Sequence, residues 1–457
     1  MKRLLSMLCV LAFAVVSLTG CETHVFKGVD ELYALPKASE EYTSLQNALQ
    51  ALLDSGLEYS PPLSGSNTQP VQLQDLDGDG ENEALAFFRE SSAQENSLKI
   101  YIFKKNEEDV YTQACVIAGD GNSINSVLCC QLDTDEINSE LVVTWQVSSA
   151  VYTLSAYSLA GYKPQELMTP TPYTRYSAVD MDSDGETELI LMTVSNADDV
   201  ASQAVYYDDS QGYLEITSSA NLSTRMSSID KTRTGTLADG TPVLYVTGSV
   251  QDINNASYQV TDIFALREGG LYNVTLNQDT QSSDSTIRYN LTGGQDINGD
   301  GVMEIPIPFT LTSHDAGSSD AFYAIDWQQY DLYGDYTVVS TTYYNSADGW
   351  YLELPEEWMD RLTLARKDNT LGSINERGIY FYYSIPGQEQ DEPFIAIYKN
   401  TGANREKNGT QGDRMVLARD SDAVYSLELF SSGYELVQSA GSLMDNFHLI
   451  TADWSTD

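Results

Sequence analysis

Residues 73–88 read LQDLDGDGENEALAFF, and the reading of this stretch decides the rest. Asp75, Asp77 and Asp79 alternate, Gly80 follows, Glu83 stands ninth counting from Asp75, and an apolar run begins. Carboxylates at alternate positions of a tight loop can all turn inward around one ion. Ca²⁺ takes six to eight hard oxygens in flexible geometry, whereas Mg²⁺ keeps several waters and takes few protein ligands. Gly80 supplies a backbone conformation that a side chain disfavours. The spacing assigns Asp75, Asp77, Asp79 and Glu83 as side-chain ligands, with Glu81 offering its backbone carbonyl.

The pattern recurs. DMDSDGETELI starts at Asp180 and DINGDGVMEIP at Asp296. The same positions give Asp180, Asp182, Asp184 and Glu188 with the Glu186 carbonyl, and Asp296, Asn298, Asp300 and Glu304 with the Val302 carbonyl. A degraded copy, QLDTDEINSELVV from Gln131, lacks the first Asp and the Gly and carries one extra residue before Glu140. TLADGTPVLYVTG, around residue 238, keeps a turn and a strand without the ligand set. Five units of roughly 50–58 residues emerge, a blade-length repeat. Each unit reads as short runs rich in Val, Ile, Leu and Tyr between Gly, Asn, Asp and Ser turns, which are strand signals. The expectation is a mainly β protein: about five blades of four antiparallel strands, a β-propeller over residues 60–344. EF-hand and dockerin loops feed helices, and LILMTVS and IPIPFTL are strand sequences. No Lys or Arg lies within the three intact loops. Unbalanced, their carboxylates repel one another at a cost of kilocalories.

These three loops and the strands after them resemble the FG-GAP/VCBS type of calcium-binding propeller repeat, known from integrin heads and bacterial surface proteins. The resemblance covers roughly residues 60–340. It implies structural calcium ions that pin the turn between the first two strands of a blade, about three in all. The family often closes with seven blades, and five are counted here. With millimolar calcium and a dissociation constant near 10⁻⁵ M, each site would add roughly 2.7 kcal/mol of stability by linkage.

The chain opens MKRLLSMLCVLAFAVVSLTGC. Two cations, a short apolar run and small residues before a cut describe a secretory signal peptide over residues 1–20. LTGC resembles the lipobox of bacterial lipoproteins, which implies a lipid-modified Cys21 and a place on the outer face of the cell membrane. Residues 21–59 read as a tether and a short helix with an N-cap at Ser39 and an end near Gly56. The chain carries 24 Lys and Arg against 67 Asp and Glu, a formal charge of −43, which excludes a nucleic-acid partner. Cys115, Cys129 and Cys130 make either one bridge or buried free thiols.

Beyond about residue 345 the repeat stops, and residues 345–457 read as an α+β domain of four or five strands with a final helix. Its opening, WYLELPEEW, loosely resembles that of PsbP/Mog1-like domains, with Trp350 and Trp358 as core anchors. The three histidines, His24, His314 and His448, are far apart, and no nucleophile elbow, zinc-protease helix, Walker loop or dinucleotide fingerprint occurs. The expectation is a non-catalytic surface protein binding a protein or glycan ligand. The alternatives are an envelope-assembly lipoprotein acting through its C-terminal domain and, third, an extracellular carbohydrate-active enzyme.

Overall fold

The computed structural model describes residues 42–450 apart from 93–96, 134–139, 196–199, 211, 225, 252–255, 290–291, 371–374, 385–392 and 432–437. The leader, Cys21 and Ser39 lie outside the described residues, as do residues 134–139 of the degraded acidic copy. One helix, α1 (Thr43–Asp54), precedes the strands and is followed by Gly56 at φ +96°. Among the described residues no helix is long and apolar enough to cross a membrane.

The protein is mainly β. The first sheet holds β1 (Glu58–Tyr59), β2 (Val71–Gln74), β3 (Glu83–Arg89), β4 (Leu98–Lys105) and β5 (Tyr111–Gly119), with β1 and β2 sharing the same neighbour, β3. Three four-stranded antiparallel meanders follow. The second sheet is β6 (Ser123–Cys130), β7 (Glu140–Gln146), β8 (Tyr152–Ser158) and β9 (Gln165–Tyr173). The third is β10 (Arg175–Val179), β11 (Glu188–Thr193), β12 (Gln203–Asp209) and β13 (Leu214–Asn221). The fourth is β14 (Ser228–Thr236), β15 (Pro242–Gln251), β16 (Ser257–Arg267) and β17 (Gly270–Asn273).

Each sheet is apolar on both faces, because each face packs against a neighbouring sheet or, at the end of the stack, against another element. In β3, Leu85 and Phe87 pack with Leu141, Val143 and Trp145 of β7, joining sheets one and two. Val142 and Leu154 join the other face of the second sheet to Leu189 and Leu191 of the third. Ile190 and Met192 then meet Leu244 and Val246 of the fourth. This alternation along single strands is the period-two pattern of a sheet buried on both sides. It explains why the sequence shows near-continuous apolar runs after each acidic loop.

The two ends of the stack are covered by other elements. On the outer face of the first sheet, Ala84, Ala86, Phe88 and Phe103 pack under Leu45 and Leu49 of α1. The fifth unit comprises β18 (Ile305–Ser313), β19 (Phe322–Tyr330), β20 (Tyr336–Asn345) and β21 (Trp350–Glu353). Ile305 and Tyr330 face the fourth sheet. The opposite face, with Leu311, Phe322 and Tyr343, shares one core with Trp350, Trp358, Phe381, Ile395 and Tyr425. Among the described residues no apolar cluster joins the fifth unit to the first.

The C-terminal region differs from its expectation in two ways. First, the fifth unit is not a separate sheet. It continues into β22 (Leu362–Asn369), β23 (Glu376–Tyr383), β24 (Ile395–Thr401), β25 (Met415–Arg419), β26 (Ala423–Leu429) and β27 (Phe447–Leu449), ten strands in all. The joins are a two-rung parallel pairing of β18 with β22 and an antiparallel pairing of β21 with β27. The edge strands β25 and β27 come into contact, so the sheet nearly closes on itself. Sheet and core therefore run straight across residue 345. Second, seven strands, β21 to β27, follow residue 345 where four or five were expected, and a strand comes after the helix expected last. A first short helix, α2 (Arg405–Gly409), follows β24, and α3 (Ala440–Asp445), N-capped by the Ser439 hydroxyl, delivers the chain into β27. Trp350 and Trp358 are fully buried in the shared core, as anchors.

Candidate metal centres

All three intact acidic loops have the same backbone scaffold, and their first and last carboxylates build it. In the first, Asp75 accepts the amides of Gly78 at 2.8 Å and Gly80 at 3.0 Å. Asp180 accepts those of Ser183 (2.7 Å) and Gly185 (3.2 Å), and Asp296 those of Gly299 (2.7 Å) and Gly301 (2.9 Å). The third carboxylate takes the amide two residues on: Glu81 to Asp79 (2.8 Å), Glu186 to Asp184 (2.9 Å), Val302 to Asp300 (2.9 Å). The closing Glu is buried in each. One of its oxygens accepts the amide beside the first Asp, from Leu76 at 2.9 Å, Met181 at 2.7 Å and Ile297 at 2.7 Å. The degraded copy keeps this staple, Leu132 to Glu140 at 2.9 Å. The fourth unit has no such Glu, and its Asp239 caps a plain turn by accepting the Thr241 amide at 2.9 Å. All three loops open onto strands, as the apolar runs required.

The inward oxygens come together to different degrees. In the middle loop, Asp180, Asp182, Asp184 and Glu188 each place an oxygen within 4.8 Å of the others. In the first loop Asp75, Asp77 and Glu83 do so, and in the last Asp296, Asp300 and Glu304. Asp79 is the expected ligand missing from the first group, and the amide of Asn298 turns its nitrogen to Asp300 at 3.0 Å in the last.

The sequence reading missed what stands opposite. One rung beyond the last hairpin pair, Glu83 faces Lys104, Glu188 faces Asp208 and Glu304 faces Gln329. The Lys104 ammonium binds Asp77, lies 2.9 Å from Asp79 and 3.9 Å from Glu83, and sits 5.0 Å above the Tyr162 ring. The Tyr162 hydroxyl also donates to Asp77 at 2.8 Å. A counter-ion absent from the loop itself thus arrives from the next strand. In the last loop the Gln329 amide donates to Asp300 and to Glu304, both at 2.7 Å.

Electrostatics follow these neighbours. Lys104 holds the Asp79 carboxyl below its ordinary range, and the Val302 amide with Gln329 does the same for Asp300. Asp182 is pushed up, by burial first and then by the charges of Asp184 and Asp180. Burial, with Asp182 and Asp208, pushes Glu188 to about 7. The second oxygen of Glu188 is buried without a hydrogen-bond partner among the described residues, as is that of Glu83 in the first loop, and the Tyr206 hydroxyl beside Glu188 is buried likewise. Four converging carboxylates with no cation beside them among the described residues form an all-oxygen donor set that fits a hard divalent cation at the middle loop. At the first loop an ammonium already stands among the carboxylates.

No family model matches this chain, and no curated protein matches it.

A cavity of about 640 Å³ opens between the first strands of sheets two, three and four. Its lining includes Ser126, Tyr173, Arg175, Tyr176, Thr232 and Arg233. Arg233 donates to the Gly294 carbonyl at 3.1 Å. The Arg175 guanidinium has no hydrogen-bond or ion-pair partner among the described residues. Elsewhere, His314 stacks on Tyr382 and His448 on Tyr351, away from the acidic loops in the chain. Cys115, Cys129 and Cys130 are free thiols in strands, and burial pushes them up to about 11, 12 and 12.

Proposed function

We infer that this is a lipid-anchored bacterial cell-surface protein with no catalytic role. Its propeller-like stack of sheets is stabilised by calcium and binds an extracellular ligand in the cavity at the inner strand ends. The observation that carries the reading is the middle loop, where four carboxylates each place an oxygen within 4.8 Å of the others with no ion-pair partner among the described residues. The convergence of β6, β10 and β14 on one cavity supports a propeller-like arrangement, since the first strand of each blade lies innermost in that architecture. The arc is open, with α1 and the C-terminal region in the places of the blades that a closed ring would add. Cys21, as the lipid-bearing residue, would hold it at the membrane.

For the ligand, the lining favours an acidic glycan. The tyrosines offer flat amphipathic surfaces, the Ser and Thr hydroxyls match sugar hydroxyls, and an unpaired guanidinium in a protein of charge −43 selects an anion. The volume suits one or two sugar rings. Arg175→Ala is expected to weaken binding of a uronic-acid oligosaccharide at least tenfold in calorimetry while leaving the melting temperature unchanged. Equal binding by the variant would remove the cavity from the reading.

Calcium dependence is tested by thermal unfolding of metal-stripped residues 22–457. Adding about 1 mM Ca²⁺ is expected to stabilise the protein by roughly 2–3 kcal/mol, as for a ligand near a hundred times its dissociation constant. Asp180→Ala, Asp182→Ala and Asp184→Ala together should abolish the shift. An unchanged melting curve in chelator and in calcium would leave the loops as metal-free turns.

A further inference from the structure

We propose that the three acidic loops are one cation site and two loops carrying a built-in substitute, the difference being set by the residue facing the closing glutamate. The proposal rests on reading these loops as hard-cation sites. The facing residue belongs to the strand that follows the one the closing glutamate leads into, and side chains directly opposite on an antiparallel pair share a face and touch. At that position the first loop has Lys104, the middle loop Asp208 and the last loop Gln329.

Each choice changes the charge balance of an otherwise constant scaffold. Lys104 bonds Asp77 and Asp79 and approaches Glu83, so its ammonium stands where a divalent ion would gather those three groups. A metal entering there must displace it and then sit beside a positive charge. Gln329 is neutral, but its amide occupies the inward oxygens of Asp300 and Glu304, and Asn298 removes one charge from the same loop. Asp208 acts in the opposite direction. It adds a carboxylate to a loop that already gathers four, and none of the four ligands has an ion-pair partner among the described residues.

A second observation points independently to a ligand at the middle loop. The Tyr206 hydroxyl is buried, on a residue 2% exposed, with no hydrogen-bond partner among the described residues. It lies beside Glu188, with Asp208 and Asp182 close by. A buried hydroxyl whose neighbour is one buried carboxylate oxygen among several like charges is costly unless something completes the set. A hard divalent cation with oxygen ligands does so, and the number and flexibility of the donors select Ca²⁺ over Mg²⁺. The loop also lies at the seam between sheets: the Thr187 amide bonds the Gln131 carbonyl of the second unit at 2.7 Å. A cation there ties the middle of the stack together.

The test exchanges the facing residues. Calcium titration calorimetry and terbium luminescence on residues 22–457 are expected to give one tight equivalent in the wild type. Lys104→Asp should add a second equivalent. Asp208→Lys should weaken the tight site at least 100-fold and raise the melting temperature in chelator, because the new ammonium relieves the repulsion. Asp208→Asn, with a smaller loss and no new ammonium, separates the two effects. Should Asp208→Lys misfold, Lys104→Asp alone decides, since misfolding does not create a binding equivalent. Two or three equal equivalents in the wild type, with nothing gained by Lys104→Asp, would overturn the hierarchy while calcium binding stands. Absence of binding in every variant would overturn both readings.

Discussion

A chain ending at residue 344 is expected to aggregate, with no cooperative unfolding transition. The expectation follows from what the cut uncovers. Leu311, Phe322 and Tyr343 lie on the outer face of the fifth unit, between 3% and 6% exposed, and their neighbours Trp350, Trp358, Phe381 and Tyr425 all belong to the part removed. Burial of a large apolar side chain stabilises by about 1.5–3 kcal/mol, so the three together represent roughly 5–9 kcal/mol. A typical domain has a net stability of only about 5–15 kcal/mol. The cut also strips β20 of its partner β21 and β18 of its parallel neighbour β22, leaving two strands with unpaired edges beside an apolar face. Size-exclusion chromatography and calorimetry of residues 22–344 beside 22–457 decide it. A monomeric fragment with a sharp transition near that of the full chain would mean that the shared core is not energetically coupled to the stack. Ligand-binding assignments made by deleting residues 345–457 would then be sound; on the present structure such deletions destroy the scaffold as well.

The same stack explains how much was legible in the sequence. Asp75, Asp180 and Asp296 with their closing glutamates marked the start of three units, because the scaffold needs those residues as amide acceptors whether or not an ion is bound. The strands after them were legible because a sheet buried on both faces requires an unbroken apolar run. A short helix ending near Gly56 was legible, but its start was not: the helix begins at Thr43 with Tyr42 as its N-cap, where Ser39 was expected. The cover over the outer edge was not legible. Nothing in Leu311, Phe322 or Tyr343 tells whether that face meets another blade or a different element. The repeat's disappearance after residue 345 therefore read as a domain boundary, and the sheet passes straight through it. Likewise the helix expected last is α3, and the chain continues past it through Phe447 and Leu449 as a strand beside β21.

The middle and first loops illustrate the limit at the site. Their ligand residues are identical in type and spacing, so sequence ranks them equally. What separates them, Lys104 against Asp208, sits 21 and 20 residues after the closing glutamate (104 − 83 and 208 − 188), against 25 for Gln329 in the last loop (329 − 304), and register is not a fixed count along the chain. The signal was present only as a cation in KIYIFKK and two acids in AVYYDD, each of which reads alone as an ordinary strand end. Pairing had to be known before the charges could be added.

Trp358→Ala is expected to cost about 3–5 kcal/mol, and Trp358→Phe far less. The side chain is fully buried, with its ring 4.8 Å from Phe394 in an edge contact and 6.5 Å from Phe381. Truncation to a methyl leaves a cavity bounded by rigid rings from β23 and the segment before β24, which cannot collapse to fill it, so the cost falls at the high end for a core aromatic. The indole nitrogen adds a second term of opposite sign. Its N–H is buried without a partner among the described residues, and an unsatisfied buried donor costs about 1–3 kcal/mol. Phenylalanine removes that donor along with part of the ring volume, and the two effects offset. Denaturant midpoints at constant slope measure both substitutions. A Phe variant as unstable as the Ala variant would show that the indole N–H is satisfied, by a buried water for example, and that the full ring is needed. A near-neutral Phe variant would show that Trp358 serves by volume alone.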